Sequence, residues 1–153
     1  MTEHTPLVGT YDWSKTLYVE LSQKYGLDTA IAEHLSRSYG DQAYKVAEIA
    51  VSEQPKKVHD AWPVDFKKLS AHHPYLEAEV RYACRHEFAC TASDVLGRRT
   101  RLAFVNAKAA SQALPRVIDI MAEELKWDKK RREKEYQDTM YYLKSMGLDY
   151  IQK

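Results

Sequence analysis

Apolar residues recur every three or four positions along most of this chain, and that spacing is typical of amphipathic α-helices. No segment alternates convincingly between apolar and polar residues, as a half-buried strand would, and no internal repeat is evident. The pattern predicts helices over residues 13–25, 28–39, 41–51, 74–88, 92–99, 106–126 and 128–146. We therefore expect an all-α fold, a compact bundle of about six to seven helices.

Short-range signals mark where these helices begin and end. Aspartates stand at the N-terminal cap positions of three predicted helices, namely Asp28, Asp41 and Asp128. Glycines follow the last apolar position of three predicted helices, namely Gly26, Gly40 and Gly147. Pro115 lies inside the sixth predicted helix and should kink or split it, because proline has no N–H to donate.

The helical periodicity fails over residues 53–73, where prolines and lysines interrupt the apolar pattern. We read this stretch as one long crossover loop that includes a short extended piece at 64–69. The predicted organisation is a linker at 1–10, one helical domain at 11–148 and a tail at 149–153.

Composition excludes several classes of protein. The 153 residues carry a formal net charge of +1, so no overall field draws the chain to nucleic acid or to an acidic membrane. No apolar run approaches the ~18 residues of a membrane span. The N-terminal stretch has neither a signal-peptide nor a transit-peptide pattern, so we expect no targeting signal in this chain.

Motifs for small-molecule chemistry are also missing. The patterns GxGxxG and GxxxxGK[ST] for phosphate-bearing cofactors and GxSxG for a nucleophile do not occur. Cys84, His86 and Cys90 lie near His72 and His73, but no CxxC spacing supports a metal site. We therefore predict no catalytic, cofactor-binding or metal-ligating residue in this chain.

The most charged stretch, residues 75–103, admits a catalytic, a nucleic-acid-binding or a structural reading. Glu77 precedes Arg81 by four positions, the favourable order for a helical ion pair. Glu79 lies close to the apolar seam of its helix, so it needs a donor such as an arginine of the 98–101 cluster. We favour a structural ion-pair lattice, formed by Glu77, Glu79, Arg81, Glu87, Arg98, Arg99 and Arg101. A second basic run, residues 129–132, is interleaved with acidic residues and reads as a solvated face.

Three strings in this stretch resemble a known family. They are HPYLEAEVRY at 73–82, EFACTASDVL at 87–96 and RRTRLAF at 98–104. Flanking matches include LVG at 7–9, SYGD at 38–41, LPR at 114–116 and MAEELKW at 121–127. Together they resemble the C-terminal domain of FAD-dependent, mitochondrial-type glycerol-3-phosphate dehydrogenase over about residues 7–148.

The resemblance implies a helical cap beside an N-terminal flavin domain. In the family, that flavin domain binds FAD and glycerol 3-phosphate, and the electrons then pass to membrane quinone. The expected partner is thus the flavin domain of the same enzyme, with a mitochondrial, peripheral inner-membrane location and no catalysis by this chain alone. The animal enzymes add calcium-binding EF-hands after this region, so the chain looks more like the fungal form. One departure is Gly97, where the family more often has alanine or another side chain.

Two other functions stay open from the residues alone. One is a free-standing helical module that binds a protein partner through an aromatic face. The other is a weak binder of phosphates or nucleic acid through the arginines of residues 98–101, although the near-neutral charge argues against nucleic acid.

Overall fold

The computed structural model describes residues 5, 7–54 and 63–148, and within them it confirms the all-α prediction. Seven α-helices occupy these residues, and the part of the chain described contains no β-strand beyond one isolated bridge. The helices are α1 Leu17–Tyr25, α2 Thr29–Tyr39, α3 Ala43–Ser52, α4 Glu77–His86, α5 Leu102–Val105, α6 Ala107–Leu125 and α7 Lys129–Ser145. They fall into two compact units, residues 1–67 and 68–153.

In the first unit, α1, α2 and α3 pack against one another through their apolar stripes. The buried side chains follow helical spacing, as Leu17 and Leu21 do on α1 and Ile31 and Leu35 do on α2. Tyr44 on α3 donates a hydrogen bond of 2.6 Å to Glu20 on α1, and this bond raises the pKa of the Tyr44 hydroxyl to about 12. The first unit is thus a three-helix cluster with a polar link at its edge.

The second unit is built around α6, which contacts α4, α5 and α7. Nine side chains of α6 are buried, which is why this long helix forms the centre of the core. The largest fully buried residues in this unit are Leu76, Leu96, Leu102, Leu114, Ile120, Met121 and Leu143.

The predicted crossover loop at 53–73 lies partly outside the described residues, which omit 55–62. Its described part forms no helix, and an antiparallel bridge joins Lys68 to Leu76. The N–H of Leu69 donates to the carbonyl of Tyr75 at 2.9 Å, so residues 68–76 fold back on themselves. The predicted tail at 149–153 and half of the linker at 1–10, residues 1–4 and 6, also lie outside the described residues.

Two of the three predicted caps are confirmed. The carboxylates of Asp28 and Asp128 accept hydrogen bonds from N–H groups in the first turns of α2 and α7. The prediction for Asp41 is wrong, because a short 3₁₀ turn precedes α3, which begins at Ala43. The Asp41 carboxylate instead accepts a hydrogen bond from the backbone N–H of Asp12, far away in the sequence.

Gly40 has a role beyond ending α2. Its φ is +58°, and a Cβ built there would lie only 1.8 Å from the carbonyl oxygen of Gly9. That same oxygen accepts a hydrogen bond from the N–H of Asp41 at 3.1 Å. Glycine at both positions lets the two backbones meet, which ties the segment before α1 to the end of α2.

Three further predictions on helices need correction. The apolar spacing of the predicted helix at 74–88 places Phe88 on its buried seam, but α4 ends at His86 and Phe88 takes a left-handed conformation at φ +55°. The apolar spacing of the last helix also predicts that Tyr136 points inward, but Tyr136 is exposed and the buried positions of α7 are Glu135, Thr139 and Leu143. Pro115 does not split α6, which runs unbroken from 107 to 125 with the proline on its exposed side.

The predicted fifth helix appears as one π-helical turn at Asp94–Arg99. The N–H of Thr100 bonds the carbonyl of Val95, five residues back, at 2.9 Å. Gly97 lies buried in this turn, and a Cβ there would lie 2.6 Å from Oη of Tyr142 on α7. Glycine at 97 therefore allows α7 to approach the turn closely.

Gly97→Ala should lower stability, although helix propensity alone predicts a gain of about 1 kcal/mol. The added methyl forces the half-buried Tyr142 ring to move, and overpacking of this kind costs roughly 1–3 kcal/mol. Thermal or urea unfolding measures the change. The loss should shrink in a Tyr142→Phe background, where the hydroxyl is gone, and a stabilised Gly97→Ala chain would contradict the steric account.

Candidate functional site

The most organised polar feature of the second unit is a row of ion pairs between α4 and α6, called here the α4–α6 ladder. On α4 the side chains at positions 77, 81 and 85 share one face, because residues four apart lie on the same side of a helix. Facing them are three charged residues of α6. The ladder consists of Glu77, Arg81, Arg85, Arg116, Glu123 and Glu124.

The pair at the N-terminal end of α4 is bidentate. Arg116 donates from Nε to Oε1 of Glu77 at 2.9 Å and from Nη2 to Oε2 at 2.7 Å. The Glu77 carboxylate is nearly buried, so this fork supplies the donors that water would otherwise provide. The hydrogen bonds to Glu77 raise the pKa of the Arg116 guanidinium.

At the other end of the ladder, two arginines of α4 converge on Glu124. Arg85 binds both of its carboxylate oxygens, at 2.8 and 2.6 Å, and Arg81 bonds Oε1 at 2.9 Å. Arg81 also bonds Glu123 at 2.8 Å. The hydrogen bonds from Arg85 and then Arg81 lower the pKa of the Glu124 carboxyl despite its burial. Glu124 is thus held ionised by two cations.

Glu79 lies at the N-terminus of its own helix. Its Oε1 accepts a hydrogen bond of 2.7 Å from the N–H of Leu76, the residue that precedes α4. The side chain is fully buried, and this bond satisfies an N–H group that the helix cannot satisfy itself.

The three arginines at 98–101 have different surroundings. Arg99 forms an ion pair with the carboxylate of Glu87, with Nε 3.1 Å from Oε2, and its Nη2 donates a hydrogen bond of 2.8 Å to the backbone carbonyl of Glu87. Arg98 pairs with Asp94, four residues earlier, and stays largely in solvent. Arg101 is exposed and left-handed, at φ +57°, just before α5. Of the residues predicted for one lattice, Glu77 and Arg81 therefore lie in the ladder, while Glu87 and Arg99 form a separate link.

Sequence reasoning missed the buried carboxylate of Glu135, which is only 3% exposed on α7. Its Oε2 accepts from the N–H of Ala92 at 3.0 Å, and its Oε1 is 2.6 Å from Nη2 of Arg131. The Arg131 guanidinium also lies 5.4 Å from the ring of Trp127. The only local signal was the four-residue spacing from Arg131 to Glu135, which is equally common on solvated helices.

The histidines and cysteines of the second unit form no common site. His73 stacks on Tyr75 with ring centroids 6.0 Å apart, and burial raises the pKa of the Cys84 thiol to about 11. Cys90 is exposed and free. Among residues 5, 7–54 and 63–148, no three His, Cys, Asp or Glu side chains cluster closely enough to hold a metal ion.

A shallow groove of about 500 Å³ lies between α6 and the N-terminal half of α7. Pro115, Ile118, Trp127 and Tyr136 supply its apolar wall. No helix in the described part of the chain is long and apolar enough to cross a membrane.

Glu135→Gln should lower the free energy of unfolding by about 1–3 kcal/mol, because the buried Arg131 contact loses its counter-charge. Glu133→Gln is the matched control on the exposed side of α7 and should change it by less than about 0.5 kcal/mol. Urea unfolding at neutral pH measures both. Equal effects of the two substitutions would show that Glu135 gains nothing from its burial.

Acid should weaken the ladder in a specific pH range. Because the folded-state pKa of Glu124 lies below its unfolded value, its contribution is fully present above the unfolded pKa and is lost as the pH falls through the folded pKa. We therefore expect Glu124→Gln to be less stable than the parent at neutral pH and to lose less stability on acidification. Thermal melts between neutral and strongly acidic pH measure this. Glu123→Gln, at an exposed carboxylate of the same helix, is the matched control for the loss of one negative charge.

Comparison with known proteins gives consistent results. A family model described as the C-terminal domain of alpha-glycerophosphate oxidase matches residues 1–132. The mitochondrial glycerol-3-phosphate dehydrogenase of Bos taurus is 46% identical over 137 residues, which cover 90% of this chain and 18% of the bovine protein. The human protein of the same name is 44% identical over the same shares. No solved structure matches the chain.

A more distant relative extends the match. The probable mitochondrial glycerol-3-phosphate dehydrogenase of Dictyostelium discoideum is 42% identical over 146 residues, which cover 95% of this chain and 21% of that protein. The chain spans about a fifth of the length of these relatives. Because the family model and the relatives cover nearly all of it, the chain belongs to the family of C-terminal domains of alpha-glycerophosphate oxidase, and the predicted resemblance to the C-terminal domain of mitochondrial-type glycerol-3-phosphate dehydrogenase is confirmed.

Proposed function

We propose that this chain serves as the C-terminal helical domain of an FAD-dependent glycerol-3-phosphate dehydrogenase in mitochondria, at the inner membrane. The whole enzyme would oxidise glycerol 3-phosphate to dihydroxyacetone phosphate. Bound FAD would accept the hydride, and the electrons would pass on to quinone. The observation that carries the proposal is the 46% identity with a mitochondrial glycerol-3-phosphate dehydrogenase over 90% of this chain.

The chain itself would act as a scaffold rather than a catalyst. A general base that works near neutral pH needs a pKa close to that pH. The pKa of Glu124 is shifted in the opposite direction, and the same is true of Asp94, where hydrogen bonds from residues 90 and 91 and the charge of Arg98 outweigh the effect of burial. These carboxylates suit ion pairing better than proton transfer. FAD and glycerol 3-phosphate would then be bound by the flavin domain of the enzyme.

The proposal assigns a structural role to the predicted ion-pair residues and a role to each predicted segment of the chain. The carboxylates and guanidiniums at 77, 79, 81, 87, 98, 99 and 101 would act structurally, by holding α4, the π-helical turn and their neighbours in position. Residues 11–148 would form the functional domain, with 1–10 as the connection from the flavin domain and 149–153 as a tail. The contacts of Glu77 with Arg116 and of Glu87 with Arg99 support the structural role.

A chimera tests the proposal. The region of the bovine dehydrogenase that matches this chain is replaced by this chain, and the chain is also purified alone. We expect the chimera to bind flavin and to reduce a dye with glycerol 3-phosphate, because the 46% identity should preserve the domain contacts. The chain alone should bind no flavin and show no activity, as should a bovine enzyme that lacks the region. Flavin binding by the chain alone, or a colourless chimera, would contradict the proposal.

A further inference from the structure

Two of the chain's three phenylalanines are exposed. The side chain of Phe88 is 89% accessible and that of Phe104 is 64% accessible, whereas Phe66 is buried. Val105, next to Phe104, is also exposed. Single exposed apolar residues are ordinary, but a group of large ones in one region marks an interaction surface.

The two phenylalanines belong to segments that are tied together. Arg99 forms an ion pair with the carboxylate of Glu87, the residue before Phe88, and donates a hydrogen bond to its backbone carbonyl. Arg101 lies two residues after Arg99 and directly precedes α5, which carries Phe104. The carbonyl of Arg101 accepts a hydrogen bond of 3.0 Å from the N–H of Phe104. The Glu87–Arg99 link therefore joins the corner after α4 to the π-helical turn, and α5 follows that turn in the chain. We call the exposed group on these segments, Phe88, Arg101, Phe104 and Val105, the Phe88–Phe104 surface.

The conformation of Phe88 strengthens the case. At φ +55° a residue with a Cβ is strained, and glycine would adopt this conformation freely. The N–H groups of Glu87 and Ala89 both bond the carbonyl of Ala83, at 3.1 and 3.0 Å, so the corner is held in place by its backbone. The phenyl ring itself is in solvent and contributes little to the stability of this chain. A strained, exposed aromatic side chain fits a contact that the chain does not make within itself.

The charge around this surface indicates the chemistry of the partner. Arg98 and Arg101 both expose their side chains, and Arg101 makes no hydrogen bond or ion pair with another described residue through its guanidinium. A surface with an apolar centre and cationic flanks is complementary to an apolar patch with an acidic rim.

We infer that the Phe88–Phe104 surface docks this domain onto an apolar, acid-rimmed patch of the flavin-carrying part of the same enzyme. The inference rests on the proposed function. The length of the relatives indicates this partner, because the matched region is 18% of the bovine protein and the remaining 82% is available to cover this surface. The internal polar groups of the second unit are largely bound to one another in the α4–α6 ladder, so the exposed phenylalanines are the stronger docking contacts.

The test uses the chimera and the isolated chain with the same substitutions. Phe88→Gly removes the ring and relieves the backbone, so the isolated chain should melt at least as high as the parent. Phe104→Asp is an exposed change and should leave the isolated chain folded. In the chimera, the double variant should lower the melting temperature and the temperature of flavin release by about 5 °C. Tyr141→Asp, at a 78% exposed aromatic on α7, is the matched control and should change neither protein.

Several results would overturn the inference. If the chimera with both substitutions has the melting temperature of the unsubstituted chimera, it has no docking contact at this surface. If both substitutions lower the melting temperatures of the chimera and of the isolated chain equally, the two residues act within the domain. Light scattering that shows a dimer of the isolated chain, made monomeric by the substitutions, would assign the surface to a second copy. Failure of the proposed function gives a different result, because the chimera without substitutions would then already lack flavin. In that case the inference would also be wrong, since it rests on the proposed function.

Discussion

A charged group that leaves water must be bound by opposite charge and by hydrogen-bond donors, and this constraint organises the second unit. Burial of α4 on α6 removes Glu77 and Glu124 from most of their water. Arginine meets this demand well, because its planar guanidinium can bind both oxygens of a carboxylate at once. Arg116 and Arg85 do so at opposite ends of the same helix contact. Packing of α4 on α6 in this register pairs each of these carboxylates with an arginine.

The same constraint explains how α7 packs, although α7 has few apolar residues on its buried face. Its buried stripe contains Glu135 and Thr139 beside Leu143, so its inner face is partly polar. Glu135 is acceptable there because it binds the N–H of Ala92 and the guanidinium of Arg131. The helix thereby reaches the loop before the π-helical turn, where Gly97 leaves room for Tyr142. Packing of α7 thus depends on one satisfied carboxylate and one missing side chain.

This internal pairing has a consequence for function. Carboxylates held ionised by arginines are poor proton carriers near neutral pH, which suits a scaffold better than an active site. The second unit also exposes large apolar side chains, at Phe88 and Phe104. A domain that binds its own charges and exposes aromatic side chains is suited to association with a larger protein through apolar contact. That expectation fits a family whose dehydrogenase members are about five times longer than this chain.

The sequence by itself determined the helical fold, because i, i+3 and i+4 spacing is a local property of each helix. It likewise determined the caps at Asp28 and Asp128, whose hydrogen bonds reach only two or three residues ahead, and its long central strings were enough to indicate the family. Tertiary structure alone decided which charges meet, since Glu77 and Arg116 lie 39 residues apart and Ala92 and Glu135 lie 43 apart. It also decided that Phe88 is exposed, which depends on where α4 ends, and that Tyr142 packs on Gly97, which depends on how closely α7 approaches the π-helical turn. No local sequence pattern encodes the distance between elements that are remote in the chain.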